Sequence, residues 1–511
     1  MLKNLSFHIL FAILTVYFIF SFKKKLIVPD VFKYFLLLPL IGLITALFSD
    51  SILFALLNSF SLFLYISFGL ILFNSLTRKE LPPLIEMIIY ATAFISALGI
   101  IQFFWPGFLT DTPNVPGKWK VISTFGNPAY LAAYLAGILP LAWQKYFKDK
   151  NITNLIMALL PLLCLTLTFA RASWLSLLFI LTIWIIVNKK LPYKQILALG
   201  LLILILITLI ISSQPDFKKH FLNLDSWKGR FFLWQINTQV IKDHWLTGVG
   251  LNQFRIHQLS YQQQLLQEDP KLVKIYAPFA PVEEYVHNDF LQVFAELGIF
   301  GFLLFLYSLY LIFRKFKKLA KDPASLEFAA LLGLAALAIN ALFFFPFYLP
   351  ATLLLAIFLV TILCYSDKSS LNLSIGITAQ LLTTLAAIII IFISLSTFLG
   401  DIYLEKGSQA LQAGRPQISL RYLKKAVSLN RWSGENRYFL AKAYYFNEQY
   451  ALALPQIKQG LTSFRNYYIY TLQAFLYNKL QFKKQAKELF WLLRTALPGQ
   501  KLNLNYGLAL E

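Results

Sequence analysis

The sequence predicts an all-α protein in two parts, a polytopic helical membrane domain followed by a C-terminal domain of repeated helix pairs. Three observations predict it. Hydrophobic residues make up 58% and charged residues 14% of the 511 positions, which is not the composition of a soluble protein. Apolar runs of membrane-spanning length recur from the N terminus to residue 399. Beyond that point the runs give way to amphipathic segments of fixed period.

In chain order the apolar segments are 5–22, 31–48, 52–73, 84–104, 129–143, 152–169, 172–187, 196–211, 290–313, 328–345, 347–365 and 373–399, which predicts about twelve transmembrane helices. The basic residues sort them. Lys23 to Lys25, Arg78 and Lys79, Lys145 to Lys150, Lys189 to Lys194 and Arg314 to Lys321 fall on alternate connections, which are therefore cytoplasmic. The same alternation puts 105–128, 213–289 and 400–511 outside. The formal charge of +22 reports orientation in this way before it reports a partner, and no nucleic-acid ligand is expected. The expected domains are 1–399, with 213–289 as a large external loop, and 400–511. A connection as long as 213–289 is a functional element or a small domain.

Within that loop the segment 281–301 turns from polar to apolar around His287. Asn288 or Asp289 is placed to cap the following helix, leaving His287 on the water side at its mouth. Asp289 and the helix dipole act on the ring in opposite senses, and Glu283 and Glu284 add two nearby carboxylates. Composition alone allows this to be an ordinary interfacial cap. Phe232, Leu233, Ile236, Val240 and Ile241 recur at helical spacing and predict an amphipathic helix on or against the membrane face, ended by Gly248 and Gly250. Arg230 begins that helix, as a headgroup anchor or a binding group. Arg171 interrupts two apolar segments at their outer end, where a charge is either functional or a snorkelling hairpin tip. Glu296 falls inside the ninth apolar segment and needs a partner there, whether structural or as part of a proton path. Ser123 to Pro128 predicts a tight turn leading into the fifth helix.

After residue 399, Gly407, Ala441 and Ala474 align with Ser419, Ala453 and Ala486 at a constant offset of 12, and the copies step by 34 and then 33 residues. This is the tetratricopeptide period. Small residues at those positions let paired helices approach, while Tyr444, Tyr450, Tyr477 and Phe490 fill the grooves between them. Residues 400–511 hold 16 Lys or Arg against 6 Asp or Glu, suited to anionic lipid headgroups or to an anionic glycan or protein partner.

Five motifs then occur in order: Ser-Thr-Phe-Gly-Asn-Pro from Ser123, Phe-Ala-Arg-Ala-Ser-Trp from Phe169, Gly229-Arg230 with Trp234, Leu-Thr-Gly-Val-Gly-Leu-Asn-Gln-Phe from Leu246, and His-Asn-Asp-Phe-Leu from His287 followed by Ala-Glu-Leu-Gly. Together, over about residues 100–350, they resemble the O-antigen ligase and O-antigen polymerase superfamily. That resemblance implies a bacterial cytoplasmic-membrane enzyme that transfers a glycan from an undecaprenyl-diphosphate carrier to an acceptor hydroxyl on the outer face, without metal or other cofactor. It implies that Arg171 and Arg230 bind the diphosphate and that His287 is the essential histidine, with Glu284 beside it as the second catalytic candidate. The chain reads Phe-Ala-Arg-Ala where Ser-Arg-Gly is more usual. The acceptor, a glycan, a lipid or a protein, is left open, as is a protein partner for the repeats. A transporter or flippase, or a scaffold built on the repeat domain, are the alternatives. The first would need intramembrane polar residues along a path, of which Glu296 and Asn340 are the main examples.

Overall fold

The computed structural model describes residues 9–11, 13–18, 26–105, 108, 121–188, 225–276, 283–366, 370–373 and 376–498. The eighth apolar segment, 196–211, and half of the first lie outside the described residues.

The membrane domain begins with a short strand β1 (Leu26–Pro29), then α1 (Asp30–Ala46), α2 (Ile52–Ser75), α3 (Leu81–Phe104), α4 (Pro128–Asp149), α5 (Ile152–Leu167) and α6 (Arg171–Val187). The long loop expected outside supplies α7 (Asp225–His244), α8 (Phe254–Glu268) and α9 (Pro270–Tyr276). The chain then returns through α10 (Asp289–Phe313), α11 (Leu326–Ala341) and α12 (Pro350–Cys364). Among the described residues three helices, α2, α3 and α10 with the turn after it, are long and apolar enough to cross a membrane. Phe94 and Phe300 stand exposed on two of these helices, and Leu178 and Phe179 on the shorter apolar helix α6, a disposition that water disfavours and a bilayer does not. The helices share one core, in which α11 crosses α4 so closely that a side chain on Gly333 would strike the Gly137 carbonyl.

Connections that carry the basic clusters meet one another. Arg78 pairs with Glu327, Lys145 with Glu86 at 3.4 Å, Gln144 donates to the Ala324 carbonyl at 2.7 Å, and Lys318 donates to the Ser366 carbonyl at 3.2 Å. Nearby, β1 pairs antiparallel with β2 (Ser370–Leu373), Leu26 opposite Leu373, an addition to the all-α expectation. Two apolar segments also end earlier or start later than composition suggests. Residues 342–345 leave α11 as a turn, because Pro346 and Pro350 disfavour helix in the residues before them and then open a 3₁₀ turn, Pro346–Tyr348, and α12.

The last apolar segment belongs to α13 (Ile377–Gln412), 36 residues that run without a break across the 399/400 boundary. Its second half pairs with α14 (Pro416–Leu429), α15 (Gly434–Phe446) pairs with α16 (Tyr450–Gly460), and α17 (Tyr467–Lys479) pairs with α18 (Lys483–Ala496). Ser419, Ala441, Ala453, Ala474 and Ala486 are all buried, and Ser419 Oγ donates to the Gly407 carbonyl at 2.8 Å. The repeated small residues therefore sit where paired helices touch. This domain folds back onto α8: Leu493 and Ala496 of α18 and Leu497 just after it pack on Leu259, and Gln262 donates to the Ala496 carbonyl at 2.7 Å. Asp50 reaches Arg465 at 2.8 Å.

Candidate functional site

The amphipathic face of α7 is buried as its spacing predicts, with Phe232, Leu233, Ile236 and Val240 essentially inaccessible. What covers it is protein: Phe254, Leu265 and Tyr276 from α8 and α9, Val286, and α10, to which Asn237 is tied through the Leu291 carbonyl at 3.0 Å. This packing fixes Arg230, one turn into α7, against the membrane domain.

The segment 245–254 and the start of α10 clasp each other. Val249 N–H donates to the Ala295 carbonyl and Gly250 N–H to the Glu296 carbonyl, both at 2.9 Å, and Ile299 N–H donates to the Trp245 carbonyl at 2.8 Å. The clasp demands two glycines. Gly298 breaks the helix with φ 64°, and Gly248 has φ +67°; a Cβ on either would strike the backbone of the other strand of the clasp. Glu296 closes it from within. Its carboxylate is fully buried and accepts from Asn252 N–H at 2.8 Å, Tyr348 Oη at 2.7 Å, Gln292 Nε2 at 3.0 Å and Phe254 N–H at 3.5 Å. Every direction around this carboxylate is occupied by a donor, so Glu296 is built in as an anchor. Asn340 is satisfied in the same way, by Ser173 and Ser176 of α6 and the Ala336 carbonyl.

The clasp presents residues 283–288. Asn288 caps α10, accepting from Leu291 N–H at 3.0 Å, while its Nδ2 donates to the Leu342 carbonyl at 3.1 Å. Val286 N–H donates to Gln292 and Glu283 N–H to Gln258, and Phe347 N–H donates to Asp289 at 3.0 Å. These ties hold His287 in the left-handed region, φ 58°, which is uncommon for residues other than glycine. His287 Nε2 lies 3.9 Å from Glu283, and its Nδ1 is buried without a hydrogen-bond partner. The ring stands edge-on to Phe345 at 4.9 Å and near Phe344 at 6.1 Å. Phe345 in turn stacks on Tyr285 at 4.3 Å, and Tyr130 from the start of α4 contacts both phenylalanines. Nothing in a run of three phenylalanines after an apolar helix marks it as the wall of a site. The only hint is the Pro346 that stops the helix.

Arg171 is the first residue of α6, where a cation sits unfavourably at the positive end of the helix dipole. Arg230 is close enough to feel it. Burial and then the Arg171 charge push the Arg230 guanidinium below its ordinary range, and Glu283 opposes them. Arg230 also lies 5.9 Å from the Trp227 ring, which meets Phe343 at 5.5 Å. The two arginines expected from sequence, Glu283 and His287 are thus brought into one mouth around the phenylalanine turn. Glu284 is turned elsewhere: it is more than half exposed and faces Arg255 at 3.4 Å. The carboxylate beside the histidine is that of Glu283.

Below the mouth an apolar cavity of about 220 Å³ extends among α1, α2, α10 and α12, lined by Leu38, Leu62, Val293 and Leu297, with Tyr285 and Tyr348 at its polar end.

Residues 156–306 match the family model described as O-antigen ligase. That match supports a relation of this region to the O-antigen ligase and polymerase superfamily. No curated protein and no solved structure matches the chain. The matched ligase region runs from α5 into α10 and contains Arg171, Arg230, Glu283, His287 and the whole clasp. The phenylalanine turn and the helix pairs lie outside it. The matched family carries out ligase- or polymerase-like glycan transfer and acts on lipid-linked glycans at a membrane.

Proposed function

We propose that this protein transfers a glycan from an undecaprenyl-diphosphate carrier to an acceptor hydroxyl on the outer face of the bacterial cytoplasmic membrane. The observation that carries the proposal is that Arg230 lies within electrostatic reach of Arg171 and of Glu283, and Glu283 stands 3.9 Å from His287, whose Nδ1 is buried and unpartnered. Two neighbouring guanidiniums favour an anion between them. A diphosphate is the anion whose charge grows as the reaction proceeds, and planar guanidiniums meet it bidentately.

In the proposed step the acceptor hydroxyl oxygen attacks the anomeric carbon while the bond from that carbon to the diphosphate oxygen breaks. The electron pair leaves on the diphosphate and is met by Arg171 and Arg230. The hydroxyl proton passes to His287, and the Glu283 carboxylate stabilises the imidazolium that forms, a contribution of order 10² to 10⁴ in rate for the base itself. An isoprenoid tail is apolar and suits the cavity below Tyr285 and Tyr348. The transporter alternative loses support, because Glu296 and Asn340 both spend their polar groups inside the fold.

We also read the apolar segments as about twelve spans with residues 213–289 and 400–511 outside, and the helix pairs as tetratricopeptide repeats. In a direct test, purified protein is given an undecaprenyl-diphosphate glycan and an acceptor, and undecaprenyl diphosphate is measured. Release that depends on the acceptor is expected. Intact donor after many hours with a folded protein would refute the proposal.

A further inference from the structure

The repeat domain holds a recess of its own. It occupies about 490 Å³ in the concave face between the helix pairs and is walled by Tyr438, Phe439, Phe464 and Tyr468, with Glu435 and Asn466 among them. A second recess of about 270 Å³ lies where the repeat domain meets the external loop. Phe464, Asn466 and Tyr468 line both, so the two recesses adjoin. The second is also lined by Arg255, Arg465, Glu283 and Glu284. Taken together as one channel, the adjoining recesses would run from the repeat domain to the carboxylate that faces His287. Electrostatics links the two ends independently: Glu435, crowded by the surrounding protein, is raised above the usual carboxylate range, with Asp401 and Glu284 adding to the shift and Arg255 opposing it.

The lining selects a class of ligand. Flat aromatic faces match the C–H faces of sugar rings, and the carboxylate, amide and guanidinium groups between them match hydroxyls. A lipid tail would leave those polar groups unpaired. Nor is the docking of the domain loose: Arg255 donates to the Ser463 carbonyl at 3.3 Å and lies 4.4 Å over the Phe54 ring, while Arg465 holds Asp50. We propose that the channel along the repeat domain is a glycan-binding subsite that holds an oligosaccharide several sugars away from the reacting end and feeds that end to His287. The inference rests on the glycan-transfer reading above and deepens it, because it gives the repeat domain a role in holding the substrate chain.

The test uses the full-length protein in detergent and a fluorescently labelled, carrier-free oligosaccharide of at least six sugars, hydrolysed from the producing cell's own lipid-linked glycan. Tyr468→Ala and Phe446→Ala remove exposed aromatic walls of the recess without opening a core. Trp491→Ala removes an exposed aromatic elsewhere on the same domain. Binding by the wild type, weakened about tenfold or more in the two recess variants and retained in Trp491→Ala, is the expected result. Equal weakening in all three, no binding by the wild type, or displacement of the sugar by an unrelated extended peptide at equal concentration would overturn the inference. If donor turnover is normal while oligosaccharide binding ignores Tyr468 and Phe446, the subsite fails and the glycan-transfer reading stands. If the oligosaccharide binds through Tyr468 and Phe446 but no carrier is ever released, the subsite stands and the transfer reading fails.

Discussion

Two polar clusters sit within ten residues of each other on the same stretch of chain, and they are finished differently. Around Glu296 each carboxylate oxygen has donors, the backbone is clasped from both sides, and no part is exposed. Around His287 the backbone is held as firmly, but Nδ1 lacks a partner, Glu283 stands off at 3.9 Å, and two arginines crowd each other. A satisfied buried cluster is architecture, because adding a ligand to it would only displace bonds it already has. A histidine nitrogen left open while its backbone is held in place can take a ligand.

The largest effect should come from breaking the architectural half. Gly298→Ala puts a side chain onto the Leu246 carbonyl at a backbone angle only glycine tolerates easily, so a loss above about 4 kcal/mol is expected and little folded protein should be recovered. Size-exclusion of the solubilised variant checks this. A monodisperse, active Gly298→Ala protein would show that the clasp is dispensable.

Arg230→Lys acts only on the site. It keeps the charge and loses the fork, so turnover should fall about 10- to 100-fold with normal folding. Unchanged turnover would leave Arg230 as a headgroup anchor. Exchanging the two carboxylates for amides sharpens the comparison further. Glu283→Gln should lower turnover about tenfold by removing the partner of the histidine, whereas Glu284→Gln, which alters a contact to Arg255, should lower it less. The reverse order would return the role to Glu284.

The smallest effect separates two histidines. His257, on α8 beneath the docked repeat domain, is pushed down to about 4 by burial, with His244 and Arg465 adding to this and Asp50 opposing it. The folded state thus takes up a proton less readily than the unfolded chain, whose histidine titrates near 6.5. Stability from this group is complete above that value and falls as pH drops toward 4, by about 1 kcal/mol at pH 6. His257→Gln should flatten the fall in melting temperature between pH 7 and 6. An unchanged slope would remove His257 as its cause.

Much of this was legible beforehand because it is local. Asn288 as a cap, the buried face of α7, the turn into α4 and the spacing of small residues in the helix pairs all follow from periods and short-range chemistry. What escaped depends on residues far apart in sequence. Glu296 meets Asn252 and Tyr348 across 44 and 52 positions, and that is what turns a candidate proton carrier into an anchor. Glu283 and Glu284 are neighbours in sequence, so only the folded loop shows which one faces the histidine. Phe343 to Phe345 looked like the end of a span, and the docking of α18 on α8 joins segments more than 200 residues apart.

The central claim is that His287 takes the proton from the incoming hydroxyl, and single-turnover transfer by His287→Gln tests it most directly. Glutamine keeps a hydrogen bond and cannot accept a proton. With donor binding measured in parallel, the variant should bind the undecaprenyl-diphosphate glycan nearly as the wild type does and release undecaprenyl diphosphate at least about 10²-fold more slowly, close to His287→Ala. Release at a near-normal rate would contradict the account, reducing His287 to a positioning group and passing the base to Glu283 or Glu284.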